Sequence, residues 1–310
     1  MYSDIVIFKE NKPRRLGYKF LVSSGFQVYE TEIKSKLLRF FFKVCRKLRI
    51  YHPFLSKIFW NIDISNLSKA AYIIVFNGSV EYYFCSFLQR YLKNSKLMFY
   101  YWDLIDNEKE KIINYFRPLW NTFSFDENDC HKYKLKYSKM FVNIANNYCL
   151  LNIQEIQQDI IFIGNNKGRI KRLMEIKQEF DKLGIRYKFI CTGAEEFSNQ
   201  GIYTEGIPYE EVLVEYMKSR AILDINYNDV YGQTIREIDT FFLKKKLITD
   251  NSFVKERDYY HPDNVYIIDY SRPDFLDGIK DFLEKPFVPI DEEILKSYSV
   301  EAWIQRFMEQ

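Results

Sequence analysis

Residues that catalyse or coordinate metals on their own are scarce in this sequence. There are 3 histidines in 310 residues, His52, His131 and His261, and they have no ligand spacing. No D-x-D motif occurs, so a metal-dependent sugar-transfer site of that kind is not expected. The 5 cysteines, Cys45, Cys85, Cys130, Cys149 and Cys191, form no C-x-x-C pair. An odd, scattered count of this kind argues for a reducing compartment. No run of about 18 apolar residues exists to span a bilayer. The opening residues run straight into a strand pattern, so no signal peptide is expected and the chain reads as cytoplasmic. Net charge is only +3, which excludes a strong polyanion footprint and with it a nucleic-acid partner. Glycine (11) and proline (8) are few, and no Gly/Ser linker or internal repeat is visible.

What is present is length, aromatics and alternation. A chain of 310 residues suits two domains of about 150 residues each. Phe (27) and Tyr (25) are abundant, together with Ile, Asn and Lys, as an AT-biased coding sequence would give. Short apolar runs at 4–8, 70–78, 96–105, 121–126 and 139–144 read as buried parallel strands, with helical stretches at 34–48, 80–93 and 127–134. A second series starts near 159. It gives strands at 159–166, 186–193, 221–227, 245–251 and 264–269, and helices at 167–184, 207–220 and 234–244. Repeating βα units imply parallel sheets with right-handed crossovers. The expected fold is α/β, with two Rossmann-like domains at 1–150 and 151–290 facing a cleft. Helices at 291–310 are expected to pack back on the first domain.

In such sheets ligands bind beyond the carboxyl ends of the strands. Two loops there carry suitable chemistry. "FIGNNKGR" (162–169) ends a strand at Gly164 and opens a helix with Lys167 and Arg169. Free N–H groups and cations at a helix start suit phosphate, and equally suit an ordinary solvated strand-to-helix turn. "YGQTIREIDTFFLKKKLITDN" (231–251) brings Gly232, Gln233 and Thr234 to a helix start. Arg236 follows, and Asp239 one turn on shares its face. A guanidinium can fork onto phosphate, and the carboxylate can accept from a ribose diol. The same two residues also suit a weak surface ion pair. Glu237 reads as solvated surface, and the lysine run 244–246 as cations at a helix C-terminus. For a general base, Asp103 after "FYYW" is best placed, with Asp106 second.

The quoted stretches, with "IPYEEVLVEYMKSRAILDIN", "YYHPDNVYIID", "YYWDLID" and "TFSFDENDCHKYKLKYS", resemble bacterial GT-B glycosyltransferases. More narrowly, they resemble capsular, exopolysaccharide and lipopolysaccharide biosynthesis proteins with a CgeB-like C-terminal domain. The resemblance covers roughly residues 70 to 310. It implies a metal-independent enzyme without cofactor, with the donor nucleotide sugar in the C-terminal domain and the acceptor in the N-terminal one. It also implies a donor site of Gly164, Lys167, Arg169, Gly232, Gln233, Thr234, Arg236 and Asp239; the expected catalytic residues are Arg236 and, from its place at a strand end, Asp103. Family members carry glutamate where Asp239 stands. The acid that retaining members place eight residues earlier falls on Tyr231, so that motif is absent.

One more segment stands out. Residues 34–60 hold Lys34, Lys36, Arg39, Lys43, Arg46, Lys47, Arg49 and Lys57, with no acid and many aromatics. Such a segment suits an anionic membrane surface, where the chain would sit peripherally on the inner face. It equally suits a helix packed on the sheet with a solvated basic side. A glycan or lipid-linked acceptor gives the membrane reading a purpose. Two other classes remain open: a non-catalytic nucleotide- or sugar-binding subunit of a polysaccharide assembly complex, and a sugar epimerase or synthase of the same architecture.

Overall fold

The computed structural model describes residues 3–9, 18–33, 35–50, 52–76, 82–105, 110, 113, 120–142, 155–226 and 232–309. Asp106, Cys149 and Tyr231 lie outside them. The chain divides into two compact units, Met1–Lys139 and Met140–Gln310. Among the described residues no helix is long and apolar enough to cross a membrane.

The first unit is built on strands β1 (Ile5–Phe8), β2 (Gln27–Tyr29), β3 (Tyr72–Phe76), β4 (Lys96–Tyr101), β5 (Asn121–Ser124) and β6 (Lys136–Tyr137). They form one sheet in the order β2-β1-β3-β4-β5-β6, parallel at every pairing. The inner strands are apolar on both faces, as helix-covered parallel strands must be. In β3, four of five residues are buried. Helices Lys36–Lys47 and Pro53–Trp60 bury Phe42, Phe59 and Trp60 in the core of this unit.

The second unit repeats the plan with β7 (Gln158–Asn165), β8 (Tyr187–Thr192), β9 (Ile202–Tyr203), β10 (Ser219–Asp224), β11 (Lys246–Thr249) and β12 (Val265–Ile267). Their order is β12-β11-β10-β7-β8-β9, again all parallel. Successive side chains of β7 point to opposite faces. Ile160 and Phe162 join Leu173, Ile176 and Phe180 on one face. Ile161 joins Leu213, Tyr216, Ile222 and Leu243 on the other. The helix Ile170–Leu183 presents its buried residues at helical spacing and stops where Gly184 turns left-handed, φ 65°, a conformation glycine adopts without cost.

Several sequence expectations are corrected here. Of the strand expected at 139–144, the described residues 139–142 form only a bridge, between Val142 and Ser299, and a strand lies earlier, at Lys136–Tyr137; residues 143 and 144 lie outside the described residues. Phe141 is apolar because it packs on Trp303, ring centroids 4.4 Å apart. The lysine run follows the C-terminus of the helix Ile235–Phe242, and two of its cations have further partners. Lys244 makes the left-handed turn, φ 53°. The Lys245 ammonium donates to the Met217 carbonyl at 2.8 Å. The buried Lys246 donates to the Phe282 carbonyl and lies over its ring. Two lysines therefore fasten the helix-to-strand turn to distant segments.

Trp303 is fully buried between Phe141 and Phe307. Trp303→Ala is expected to cost about 3–5 kcal/mol. In denaturant unfolding followed by circular dichroism, the midpoint of the second unit should drop while that of the first holds.

Candidate functional site

In the second sheet the chain runs outward from β7 through β8 to β9, then returns to place β10 on the other side of β7. The crevice beyond the carboxyl ends of β7 and β10 is the topological switch point, where parallel sheets leave room for a ligand. β7 ends there in Gly164-Asn165, and β10 in Asp224. The helix Ile235–Phe242 starts at the same place. Thr234 caps it, its hydroxyl accepting from the Glu237 N–H at 3.1 Å.

Asp224 organises the crevice. Its Oδ2 accepts from the Thr234 hydroxyl at 2.6 Å, and its Oδ1 accepts from Arg236 Nη1. The other side of the same guanidinium reaches across to β7, donating from Nη2 and Nε to the Ile163 carbonyl at 2.8 and 3.2 Å. Burial by itself would depress the Arg236 pKa. The Asp224 carboxylate and Tyr216 together outweigh it and hold the guanidinium above its ordinary value. A Cβ on Gly164 would stand 2.6 Å from Arg236 Nη2 and 3.5 Å from Arg169 Nη1. Glycine is required there by space, since its φ is unexceptional. Arg169 is held below its ordinary pKa, by burial first and by the neighbouring Arg236 cation second. Two guanidiniums thus converge on one glycine, and the Asp224 carboxylate contacts that of Arg236.

Of the residues expected to bind a donor, Gly164, Arg169, Thr234 and Arg236 meet in this crevice. Lys167 and Gly168 lie exposed on the turn before the helix, both with positive φ. That turn is pinned by Asn166, which accepts from the Ile170 N–H at 3.1 Å and donates to the Gly193 carbonyl at 2.8 Å. Gly232 is buried at the loop's end. Gln233 is turned away, donating to the hydroxyls of Tyr298 (2.7 Å) and Tyr259 (3.2 Å). Asp239 does not pair with Arg236. It is buried and accepts from the Tyr209 hydroxyl at 2.7 Å. Asp103 belongs to the first unit and is exposed just past β4.

Glu237, expected on the surface, is buried instead. It accepts from the Tyr259 hydroxyl, which belongs with Gln233, Tyr298 and Asp258 to one hydrogen-bonded chain. Burial pushes its pKa up to about 7 against the lowering by Tyr259 and Arg257. Sequence reasoning also missed Asp224 and Asp250. Asp250 accepts from the Asn226 N–H at 2.7 Å and from Arg172 at 2.8 Å. The available signal was a single acid at the end of each of two neighbouring strands. Among the described residues no three His, Cys, Asp or Glu side chains converge as a metal-binding group.

No known family matches the sequence, and no curated protein is similar to it. Solved structures do match. An α-glucosyltransferase in complex with UDP-glucose and DNA containing an abasic site has a TM-score of 0.60 at 12% identity, over 98% of this chain and 93% of that one. Sucrose-phosphate synthase from Thermosynechococcus elongatus has a TM-score of 0.58 at 10% identity, over 98% and 97%. A glycosyltransferase involved in avilamycin A biosynthesis has a TM-score of 0.60 at 10% identity, over 99% and 96%. The fold is GT-B, with two parallel six-stranded sheets flanked by helices.

Two measurements probe this site. Asp224→Asn leaves the Arg236 cation buried without its carboxylate, and the loss on breaking such a pair is about 3–5 kcal/mol. Urea unfolding should show that loss, and a double variant with Arg236→Met should recover part of it. Additive losses would mean the two side chains are not coupled. Glu237 supplies the pH test. Its folded pKa of about 7 lies above the ordinary 4.5, so the folded state binds the extra proton. Stability is fully present below about pH 4.5 and falls as pH rises toward 7, by roughly 3 kcal/mol. Glu237→Gln should flatten that slope, and an unchanged slope would assign it to another group.

Proposed function

We propose that the chain is a glycosyltransferase that moves a sugar from a nucleotide-sugar donor to a growing, lipid-linked surface glycan. The observation that carries this reading is the convergence of Arg169 and Arg236 on Gly164 at the switch point of the second sheet. Like charges brought together at low solvent exposure raise each other's cost, and an anion between them lowers it. A diphosphate fits that requirement and needs no metal to balance it. The match to a structure holding UDP-glucose supports the same ligand class. The resemblance of the sequence to capsular and lipopolysaccharide biosynthesis proteins supports the acceptor.

In this reading Arg169, with Lys167 on the exposed turn, binds the diphosphate. Arg236 presents its guanidinium from the position fixed by Asp224 and Ile163. Thr234 and the helix start behind it add donors. Asp239 takes the ribose diol, sharing its carboxylate with the Tyr209 hydroxyl. Transfer breaks the bond between the sugar's anomeric carbon and the diphosphate oxygen and forms one to an acceptor hydroxyl. The diphosphate leaves with the bonding pair, its charge stabilised by the guanidiniums. The acceptor proton passes to a carboxylate, for which Asp103 in the first unit is proposed.

Calorimetric titration with UDP, GDP and CMP tests the donor site. One nucleoside diphosphate should bind, and Arg169→Ala should weaken it about tenfold or more, as loss of a charge-assisted bond of about 1.5–3 kcal/mol requires. The melting temperature without ligand should fall only slightly, because the bond that Arg169 Nη1 donates to the Asn165 carbonyl, at 3.0 Å, is exposed. No binding by any of the three would sink the reading. Binding without transfer or hydrolysis over a panel of nucleotide sugars would make the chain a non-catalytic nucleotide-binding subunit.

A further inference from the structure

The helix Lys36–Lys47 has three faces where a surface helix needs two. One face packs inward through Phe42 and Cys45, with Leu38 half-buried against the same core. A second carries Lys36, Arg39, Lys43, Arg46 and Lys47. The third consists of Leu37, Phe40, Phe41, Val44 and, just past the helix, Leu48. Those positions recur at i, i+3, i+4, i+7 and i+11, so they form one stripe. The stripe is turned to solvent: Leu37, Phe40, Phe41 and Leu48 expose 65, 62, 53 and 63% of their surface. The following helix, Pro53–Trp60, adds exposed apolar side chains of its own. Its Phe59 and Trp60 are buried, while Phe54 exposes 62% and Ile58 37%. Packing on the sheet explains Phe42, Cys45, Phe59 and Trp60 and leaves the stripe unexplained.

We propose that this stripe and the cations beside it are a docking surface for an anionic lipid bilayer. The side chains of Leu37, Phe40, Phe41, Val44, Leu48, Phe54 and Ile58 enter the headgroup–acyl boundary, and the basic face meets the phosphates. Charge selects this occupant. Between Glu32 and Asp63 stand eight Lys or Arg residues and no acid, whereas the whole chain nets +3, so all other residues together are five negative. The net positive charge is therefore gathered in the segment that carries most of the exposed large apolar side chains among the described residues, the combination an anionic leaflet attracts. A second copy of the chain is disfavoured, because a two-fold interface would bring the same patch, and the same cations, against themselves. The inference stands on the first unit alone and holds whether or not the second unit transfers sugar.

Vesicle co-sedimentation with the full chain tests it, using phosphatidylcholine alone and phosphatidylcholine mixed with phosphatidylglycerol. The native protein should sediment only with the anionic vesicles. Raising salt from 0.1 to 1 M, which shortens the Debye length from about 10 Å to about 3 Å, should release most of it. Phe40→Ser/Phe41→Ser and Lys43→Gln/Lys47→Gln should each weaken binding about tenfold or more. Both variants should keep the native melting temperature and any nucleotide binding, since all four side chains are exposed. Equal binding to neutral vesicles, or none to either kind, overturns the proposal. So does a dimer in light scattering that the phenylalanine variant breaks while its vesicle binding persists, which would assign the stripe to a second copy.

Discussion

The buried pairing of Arg236 with Asp224 is the constraint from which the crevice follows. It ties three pieces of chain together: the end of β10, the start of the helix Ile235–Phe242, and, through the Ile163 carbonyl, the end of β7. A buried ion pair is weak evidence for stability, because desolvation of both charges offsets their attraction. What this one supplies is position. With the guanidinium held against β7, over the Phe162 ring at 5.1 Å, residue 164 has no room for a side chain. With Asp224 also accepting from Thr234, the helix cap and the guanidinium cannot shift independently. Gly164, Asp224, Thr234 and Arg236 act as one unit, although no two of them are adjacent in sequence.

The helix start divides its charges between two environments. Arg236 and Glu237 are consecutive, about 100° apart around the helix axis, so they cannot share partners. Arg236 turns to the crevice, and Glu237 to the hydroxyl chain of Tyr259, Gln233, Tyr298 and Asp258. That chain joins the helix to the residues before the last helix, Val300–Met308. Any change in protonation of Glu237 therefore acts on the anchoring of the C-terminal segment, while Arg236 on its own face keeps its carboxylate partner.

The fold was legible where a local pattern decided it. The inner strands of both sheets were found because burial on both faces forces a continuous apolar run. The two- and three-residue edge strands Ile202–Tyr203 and Gln27–Tyr29 were not, since such short pairings leave no period to read. Residues 139–144 were taken as a strand because Phe141 and Val142 are apolar, yet their partners are Trp303 and Ser299. At the site, Gly164, Arg169, Thr234 and Arg236 were legible because strand ends and helix starts have a recognisable chemistry. The burial of Glu237 and Asp239 was not. It depends on Tyr259 and Tyr209, which lie 22 and 30 residues away, beyond any helical window. Asp224 stayed hidden for the same reason: one acid at a strand end has no meaning until the guanidinium it holds is known.

The two sheets show that topology fixes where a crevice lies and side chains fix what it holds. In the first sheet the order reverses between β1 and β3. Lys9, buried just past β1, places its ammonium 4.1 Å from the Phe76 ring centre and 4.7 Å from that of Trp102. Aromatic faces attract a cation and line this one, whereas in the second crevice the Asp224 carboxylate holds Arg236, and Arg169 stands beside the pair. The same parallel architecture therefore carries an aromatic-lined cation in one unit and a paired guanidinium with a second cation in the other. The strand orders of the two sheets differ, yet neither order names a ligand; acceptor in the first unit and donor in the second is what the sequence resemblance implies.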